Sequence, residues 1–114
     1  MKFAPAALKS SGYGSGTKPL PVITGQDAEL ASVKSIIAGQ QSQTVYKDVR
    51  RLGQAAVTMV DDLLNGRVPW ADDSMSYKNG VKAVPAVLLQ PESIDKTNYN
   101  DLVVDGYFTA DQLK

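Results

Sequence analysis

The clearest periodic pattern in the chain covers residues 48–64. Its apolar side chains recur three or four positions apart and line one helix face: Leu52, Ala56, Met59, Val60, Leu63 and Leu64. Asp48 can accept the first backbone N–H groups as an N-cap, and an Asn-Gly pair follows the last apolar position. The pattern therefore predicts an amphipathic helix with one apolar face.

A second helical pattern precedes this one and lies between two short runs typical of strands. Its apolar positions are Leu30, Val33, Ile36 and Ile37. Asp27 stands where an N-cap is expected, and Gly39 stands where the helix should end. Buried strands are predicted at residues 19–25 and 44–46. The alternation of strands and helices predicts an α/β sandwich with parallel pairing, in which ligands bind beyond the carboxyl ends of the strands.

The later part of the chain predicts smaller elements. A polar connection is expected at residues 67–74. Residues 77–81 contain an Asn-Gly pair that suits a hairpin with a type I′ turn, because both residues tolerate positive φ angles. Residues 84–89 indicate a further strand, and residues 95–114 indicate short helical pieces and loop.

The composition excludes several classes of function. The chain has 12 lysines and arginines and 12 aspartates and glutamates, so its formal net charge is zero. This balance argues against a nucleic-acid or anionic-membrane partner held by long-range electrostatic attraction. The chain has no cysteine and no histidine, so it has no disulfide, no Ser-His-Asp or Cys-His catalysis and no histidine-bound zinc. We therefore predict a protein that is not an enzyme and that uses neither a cofactor nor a metal.

Targeting signals are not apparent in the sequence. No apolar stretch is long enough to span a bilayer. The apolar run within residues 1–8 is too short for the core of a secretory signal, so no signal peptide is expected. The absence of cysteine fits either side of a membrane, and the residues alone leave the compartment open.

Two charged residues stand at the ends of the predicted strands. The carboxylate of Asp27 can accept from two neighbouring sugar hydroxyls, or it can simply cap the following helix. The ammonium of Lys47 can donate to several hydroxyl oxygens, or it can be a solvated surface lysine. Trp70 suits stacking on a sugar face as well as packing within the fold. The adjacent acids Asp72 and Asp73 indicate a solvated turn, since no calcium-ligand spacing surrounds them.

A family resemblance rests on two specific stretches, residues 21–29 (PVITGQDAE) and residues 43–47 (QTVYK). Together with residues 35–39 (SIIAG), they resemble the xylose- and multiple-sugar-binding branch of the periplasmic binding proteins that serve ABC importers. Segments at residues 77–81, 84–85 and 105–107 fit the same branch. The resemblance covers most of the chain.

The resemblance assigns roles and boundaries that the residues alone do not. It implies that Asp27 of the Gly-Gln-Asp-Ala motif and Lys47 of the Val-Tyr-Lys motif bind sugar hydroxyls. It implies part of a periplasmic-binding-protein fold, with parallel βαβ units and an added hairpin. Residues 1–47 and 85–114 would belong to the carboxyl-terminal sugar-binding lobe and residues 48–84 to the other lobe. The chain would then correspond to the last third of a family member.

The function implied by the resemblance is sugar capture in the periplasm. The ligand would be a monosaccharide such as xylose, glucose, galactose or arabinose, delivered to the permease of an ABC transporter, with a sensor kinase as a further partner. The alternatives are a non-binding interaction or assembly module and the effector domain of a lac-type repressor. A site with a single wall should hold sugar weakly, since closure normally buries the ligand on both sides. An exposed apolar face on the helix at 48–64 would favour a homodimer or exchange of segments between copies.

Overall fold

The structure is a computed structural model that describes residues 4–114, with side chains for all of these except residues 72–75. The first three residues of the short apolar start lie outside the described part. Contacts divide the chain into two units, one formed by the residues up to Lys47 together with Pro91–Lys114, the other by Asp48–Gln90. The assignment of the predicted segments to two different lobes stays a prediction.

Five helices and five strands are found among the described residues. In chain order they are α1 (Ala4–Ser10), β1 (Thr24–Gln26), α2 (Leu30–Ile37), β2 (Gln43–Tyr46), α3 (Val49–Leu64), β3 (Asp72–Lys78), β4 (Ala83–Ala86), β5 (Glu92–Asp95), α4 (Asp101–Val104) and α5 (Ala110–Leu113). No helix in the described part of the chain has the length and apolar character needed to cross a bilayer.

The first unit contains a three-stranded sheet in the order β1-β2-β5. β1 pairs with β2 in parallel, with Gly25 opposite Thr44, and α2 connects the two strands. β2 pairs with β5 antiparallel, with Thr44 opposite Ile94. The predicted α/β class with a parallel βαβ unit is therefore confirmed, and the sheet is mixed because β5, which the pattern did not predict, runs in the opposite direction.

The core of the first unit lies between this sheet and its helices. The side chains of its cluster are buried and come from the turn after β1 and from α2, β2, β5, α4 and α5: Ala28, Val33, Tyr46, Ile94, Leu102 and Leu113. Tyr46 also packs its ring against Tyr107, with centroids 4.8 Å apart, and donates its hydroxyl proton to Asp105 Oδ2 at 2.8 Å. These contacts join β2 to the carboxyl-terminal helices, so the ends of β1 and β2 are built on a packed base.

Two predictions at the start of this unit are wrong in detail. The strand expected at residues 19–25 is reduced to β1, since the prolines at 19 and 21 have no N–H to donate to a sheet. Helix α2 begins at Leu30 with Glu29 at its N-cap position, so Asp27 is not the cap. Asp27 has a φ of 76° and Ala28 a φ of 44°, and residues in the left-handed region cannot start a right-handed helix.

The second unit contains α3 and the hairpin of β3 and β4. Asp48 caps α3 as predicted, and its Oδ1 accepts the Arg50 backbone N–H at 2.9 Å. The side-chain hydrogen bond from Arg50 lowers the pKa of Asp48 below its ordinary value. The polar connection ends earlier than expected, because β3 already begins at Asp72.

The hairpin turn differs from the predicted type I′ turn. Its loop extends from Asn79 to Lys82, and of these residues only Gly80 has a positive φ, whereas a type I′ turn needs two. Asn79 Oδ1 instead accepts the backbone N–H groups of Val81 and Lys82, both at 3.0 Å. An asparagine side chain that bonds to its own loop competes with the tight turn.

One face of α3 is apolar and exposed. No side chain of this helix is buried, and the half-buried positions Ala55, Met59 and Asp62 lie away from the centre of the apolar face. The exposed apolar side chains are Val49, Leu52, Val57, Val60, Leu63 and Leu64. An unpartnered apolar face of this kind is unusual in a monomer.

We predict that copies of the chain associate through this face of α3. Val60→Glu should shift the protein towards the monomer, because it puts a charge at the centre of the face without lowering helix propensity. Sedimentation velocity over a range of concentrations measures the effect. Gln54→Glu, which adds the same charge on the polar side of α3, is the matched control. A well-folded monomer of the unmodified chain at all concentrations would contradict the prediction.

Candidate functional site

Asp27 and Lys47 meet at one edge of the three-stranded sheet. Asp27 directly follows β1 and Lys47 directly follows β2, and the two strands are parallel. Their carboxyl ends therefore lie side by side. Lys47 Nζ is 2.7 Å from Asp27 Oδ1, which is the distance of a charge-assisted hydrogen bond. The two residues singled out in the sequence, twenty positions apart, are thus brought into direct contact.

This ion pair remains open to solvent. The Lys47 side chain is 48% exposed and the Asp27 side chain 62% exposed. Ion pairs at such exposed positions stabilise a fold by only about 0–1 kcal/mol, so this one can open at little cost. The ammonium carries three N–H donors, and an ionised carboxylate offers about four lone-pair sites. Most of this hydrogen-bonding capacity faces water and is available to a polar ligand.

The backbone at Asp27 forms a tight left-handed turn that β2 holds in place. Asp27 donates its backbone N–H to Val45 O at 2.7 Å, and Ala28 donates its own to Thr44 Oγ1 at 3.3 Å. The left-handed backbone conformation costs an alanine roughly 1–2 kcal/mol, whereas aspartate adopts it more readily. The turn therefore depends on the packing and hydrogen bonds around it.

A buried amide lies under the same turn. Gln41 is 6% exposed and donates from Nε2 to Ser32 Oγ at 2.7 Å and to Gln43 O at 2.9 Å. It passes directly beside Gly25, where a Cβ atom would stand 2.5 Å from Gln41 Nε2. Gly25 permits this close approach because it has no Cβ atom.

Sequence reasoning missed Gln41 and Thr44 as parts of the site. Thr44 is fully buried and carries the hydroxyl that bonds to the turn, yet in the sequence it is an ordinary β-prone residue. Gln41 stands in a polar stretch, where glutamine is usually at the surface. The roles of both residues become apparent only when β1 and β2 are paired in the structure.

The other candidates from the sequence belong to the second unit. Trp70 is 70% exposed and borders a groove of about 310 Å³ together with Met59, Val87 and Leu89 of the same unit. The side chains of Asp72 and Asp73, expected to form a solvated turn, lie outside the described residues. Among the side chains that are described, no group of three or more acids is arranged to hold a metal ion.

The chain is similar in sequence to periplasmic binding proteins. Residues 2–67 match the model of the periplasmic binding protein domain. The chain is 52% identical over 110 residues to the multiple sugar-binding periplasmic receptor ChvE of Rhizobium radiobacter. It is 42% identical over 92 residues to the D-xylose-binding periplasmic protein of Escherichia coli (strain K12).

The similarity extends to solved structures. An ABC transporter solute binding protein from Clostridium phytofermentans, determined with bound β-D-glucose, superposes with a TM-score of 0.80 at 40% identity over 96% of this chain. The present chain covers 33% of that structure. It covers 31% of the Rhizobium radiobacter receptor and 27% of the Escherichia coli protein, so it spans about a third of the length of its relatives.

We predict that Gly25→Ala destabilises the protein by about 1–3 kcal/mol, the range for losing hydrogen bonds of a buried polar group. The new methyl group would displace Gln41 from Ser32 and from the Gln43 carbonyl. Urea denaturation followed by circular dichroism measures the change.

Two comparisons make this prediction specific. Gly53→Ala introduces the same methyl group in α3, where it would meet nothing within 4 Å apart from neighbouring residues and the backbone of its own helix, and it should be neutral or stabilise by up to about 1 kcal/mol. Adding Gln41→Ala to Gly25→Ala removes the shortest contact of the new methyl group and leaves those with Ser32 Oγ and Thr44 Oγ1 at 3.3 Å, so the two substitutions together should be less harmful than their sum. Strict additivity would contradict the proposed contact.

Proposed function

The chain belongs to the periplasmic binding protein domain family, and on that basis we propose that it forms one wall of a monosaccharide site in a solute receptor for sugar import. The observation that carries the proposal is the solvent-open Asp27–Lys47 pair at the carboxyl ends of two parallel strands. This edge of an open α/β sheet is where such folds bind ligands.

The chemistry of the pair suits a sugar. Adjacent ring hydroxyls each offer a donor and an acceptor, and an aspartate can accept from two of them while a neighbouring lysine donates to a third oxygen. Charge-assisted hydrogen bonds are stronger than neutral ones, which offsets the removal of water from a very polar ligand. In this proposal sugar hydroxyls compete with the hydrogen bond that Lys47 donates to Asp27.

The relatives support an aldose as the ligand class. One is named for D-xylose, one for multiple sugars, and the solved neighbour holds β-D-glucose. We extend the proposal to galactose and arabinose, which present similar rows of hydroxyls. The partner that receives the sugar would be the permease of an ABC transporter, and the location would be the periplasm. A sensor kinase as a second partner stays a prediction.

The proposal assigns binding rather than catalysis. In this proposal the pair acts by accepting and donating hydrogen bonds without changing the ligand. Because one relative is named as a sugar-binding periplasmic receptor and a solved neighbour as an ABC transporter solute binding protein, a receptor role is favoured over that of a repressor effector domain.

A second candidate function is assembly, favoured by one observation. The exposed apolar face of α3 can support an interaction module whether or not the Asp27–Lys47 pair binds sugar. A homodimer is the form that this candidate would take, and it is tested by the sedimentation experiment on Val60→Glu. Loss of association without loss of sugar binding would separate the two functions.

We predict weak, saturable binding of aldoses with a dissociation constant of about 1 mM or higher, because one wall leaves the ligand half exposed. Titration of ¹⁵N-labelled protein with xylose, glucose, galactose and arabinose should shift the amide resonances of residues 25–28 and 44–47. Asp27→Ala and Lys47→Ala should each abolish these shifts, since each removes an ionic hydrogen-bonding partner.

The matched control is a second exposed lysine–aspartate pair in the same unit. Lys114 Nζ lies 2.6 Å from Asp111 Oδ1, and both side chains are more exposed than those of Asp27 and Lys47. Asp111→Ala and Lys114→Ala should leave the titration unchanged. Equal losses in the control pair, or no shifts with any of the four sugars, would contradict a sugar site in this chain.

A further inference from the structure

Thr44 lies directly beneath the turn that presents Asp27. Its side chain is fully buried in β2, and its Oγ1 accepts the Ala28 backbone N–H at 3.3 Å. In the strand its neighbours are Val45, which accepts the Asp27 N–H, and Gln43, whose carbonyl binds Gln41. Thr44 is thus the side chain through which β2 bonds to the second residue of the left-handed turn.

If the side chain at position 44 served only to pack the strand, valine would suit this buried position better than threonine. Valine has nearly the same shape, a high strand propensity and no polar group to satisfy in a buried site. Ala28 is itself fully buried, so its N–H needs a partner within the protein. The Thr44 hydroxyl provides that partner, and the bond fixes the orientation of the peptide group between Asp27 and Ala28.

The conformation of the turn determines where the Asp27 carboxylate lies. Asp27 and Ala28 are consecutive residues with positive φ, and the first of them carries the carboxylate that contacts Lys47. The peptide groups on both sides of Asp27 bond to β2, through Val45 O and Thr44 Oγ1. Without the bond to Thr44 the second peptide group could rotate, and Asp27 would no longer be held in the conformation in which it contacts Lys47. The conformation is unfavourable for alanine and must be held by its surroundings.

We propose that Thr44 is a positioning residue for the sugar site, which acts by holding the turn at Asp27 and Ala28 in its left-handed conformation. The proposal rests on the sugar-binding function proposed above and adds a residue that would not contact the ligand. Thr44 would affect sugar affinity indirectly, by keeping Asp27 beside Lys47.

The experiment compares Thr44→Val, which removes the hydroxyl and keeps the shape, with Thr44→Ser, which keeps the hydroxyl and removes the methyl group. The first readout needs no ligand: a positive φ brings the amide and α protons of one residue close together, which gives a strong intraresidue nuclear Overhauser effect. The second readout is the amide titration with glucose and xylose. Thr24→Val, the same change at an exposed position of β1, is the control.

We expect Thr44→Val to weaken the intraresidue effect at Asp27 and Ala28 and to lower sugar affinity about tenfold, in line with the loss of a buried hydrogen bond. Thr44→Ser should retain the effect and bind within about threefold of the unmodified protein, because its hydroxyl can still accept the Ala28 N–H. Thr24→Val should behave as the unmodified protein in both readouts.

The outcomes separate this proposal from the function on which it rests. An unchanged turn in Thr44→Val, or a Thr44→Ser variant that behaves like Thr44→Val, would overturn the positioning role. A turn that relaxes in Thr44→Val while even the unmodified chain binds no sugar would confirm that Thr44 holds the turn, and would reject the sugar site together with any role of Thr44 in sugar binding. Circular dichroism of each variant confirms that the fold is retained.

Discussion

The parallel pairing of β1 with β2 is the constraint on which the rest of the first unit depends. It places the two strand ends at the same edge of the sheet, and so it brings together an aspartate and a lysine that are far apart in sequence. The backbone bond from Asp27 to Val45 continues this pairing one residue beyond β1. Without that extension the chain would leave the sheet before the carboxylate reached Lys47.

The left-handed turn at the end of β1 is stabilised by its contacts with buried neighbours, because its backbone conformation is not favourable by itself. Ala28 belongs to the buried cluster, and burying its methyl group together with its N–H bond to Thr44 offsets an unfavourable backbone conformation. The amide of Gln41 fills the space that Gly25 leaves beside the strand. Polar and apolar contacts therefore act together to present one exposed side chain in a defined place.

The sequence predicted those elements whose local pattern agrees with their tertiary role. Helix α3 has a clear period and an aspartate cap, and β2 is rich in β-branched and aromatic residues, so both follow from local chemistry. Strand β5 does not, because Glu92–Asp95 is short and polar and only Ile94 is buried in it; its strand conformation comes from pairing with β2. Local sequence left Asp27 open between a helix cap and a ligand-binding residue, and the positive φ at Asp27 and Ala28 rules out the cap. The site pair was named from a resemblance, while Thr44 and Gln41 required the three-dimensional pairing.

The position of β5 in the sheet has a consequence for the order in which the protein can fold. The sheet of the first unit is completed by Pro91–Lys114, and the whole of Asp48–Gln90 emerges from the ribosome before that segment does. During synthesis, the edge of β2 that pairs with β5 therefore stays unpaired until β5 has been made. Pairing of β5 with β2 then carries the entropic cost of closing the intervening loop. This free-energy cost rises by only about 0.6 kcal/mol when a loop doubles in length. Insertions and deletions in the intervening segment should therefore be tolerated in evolution while the sheet stays the same.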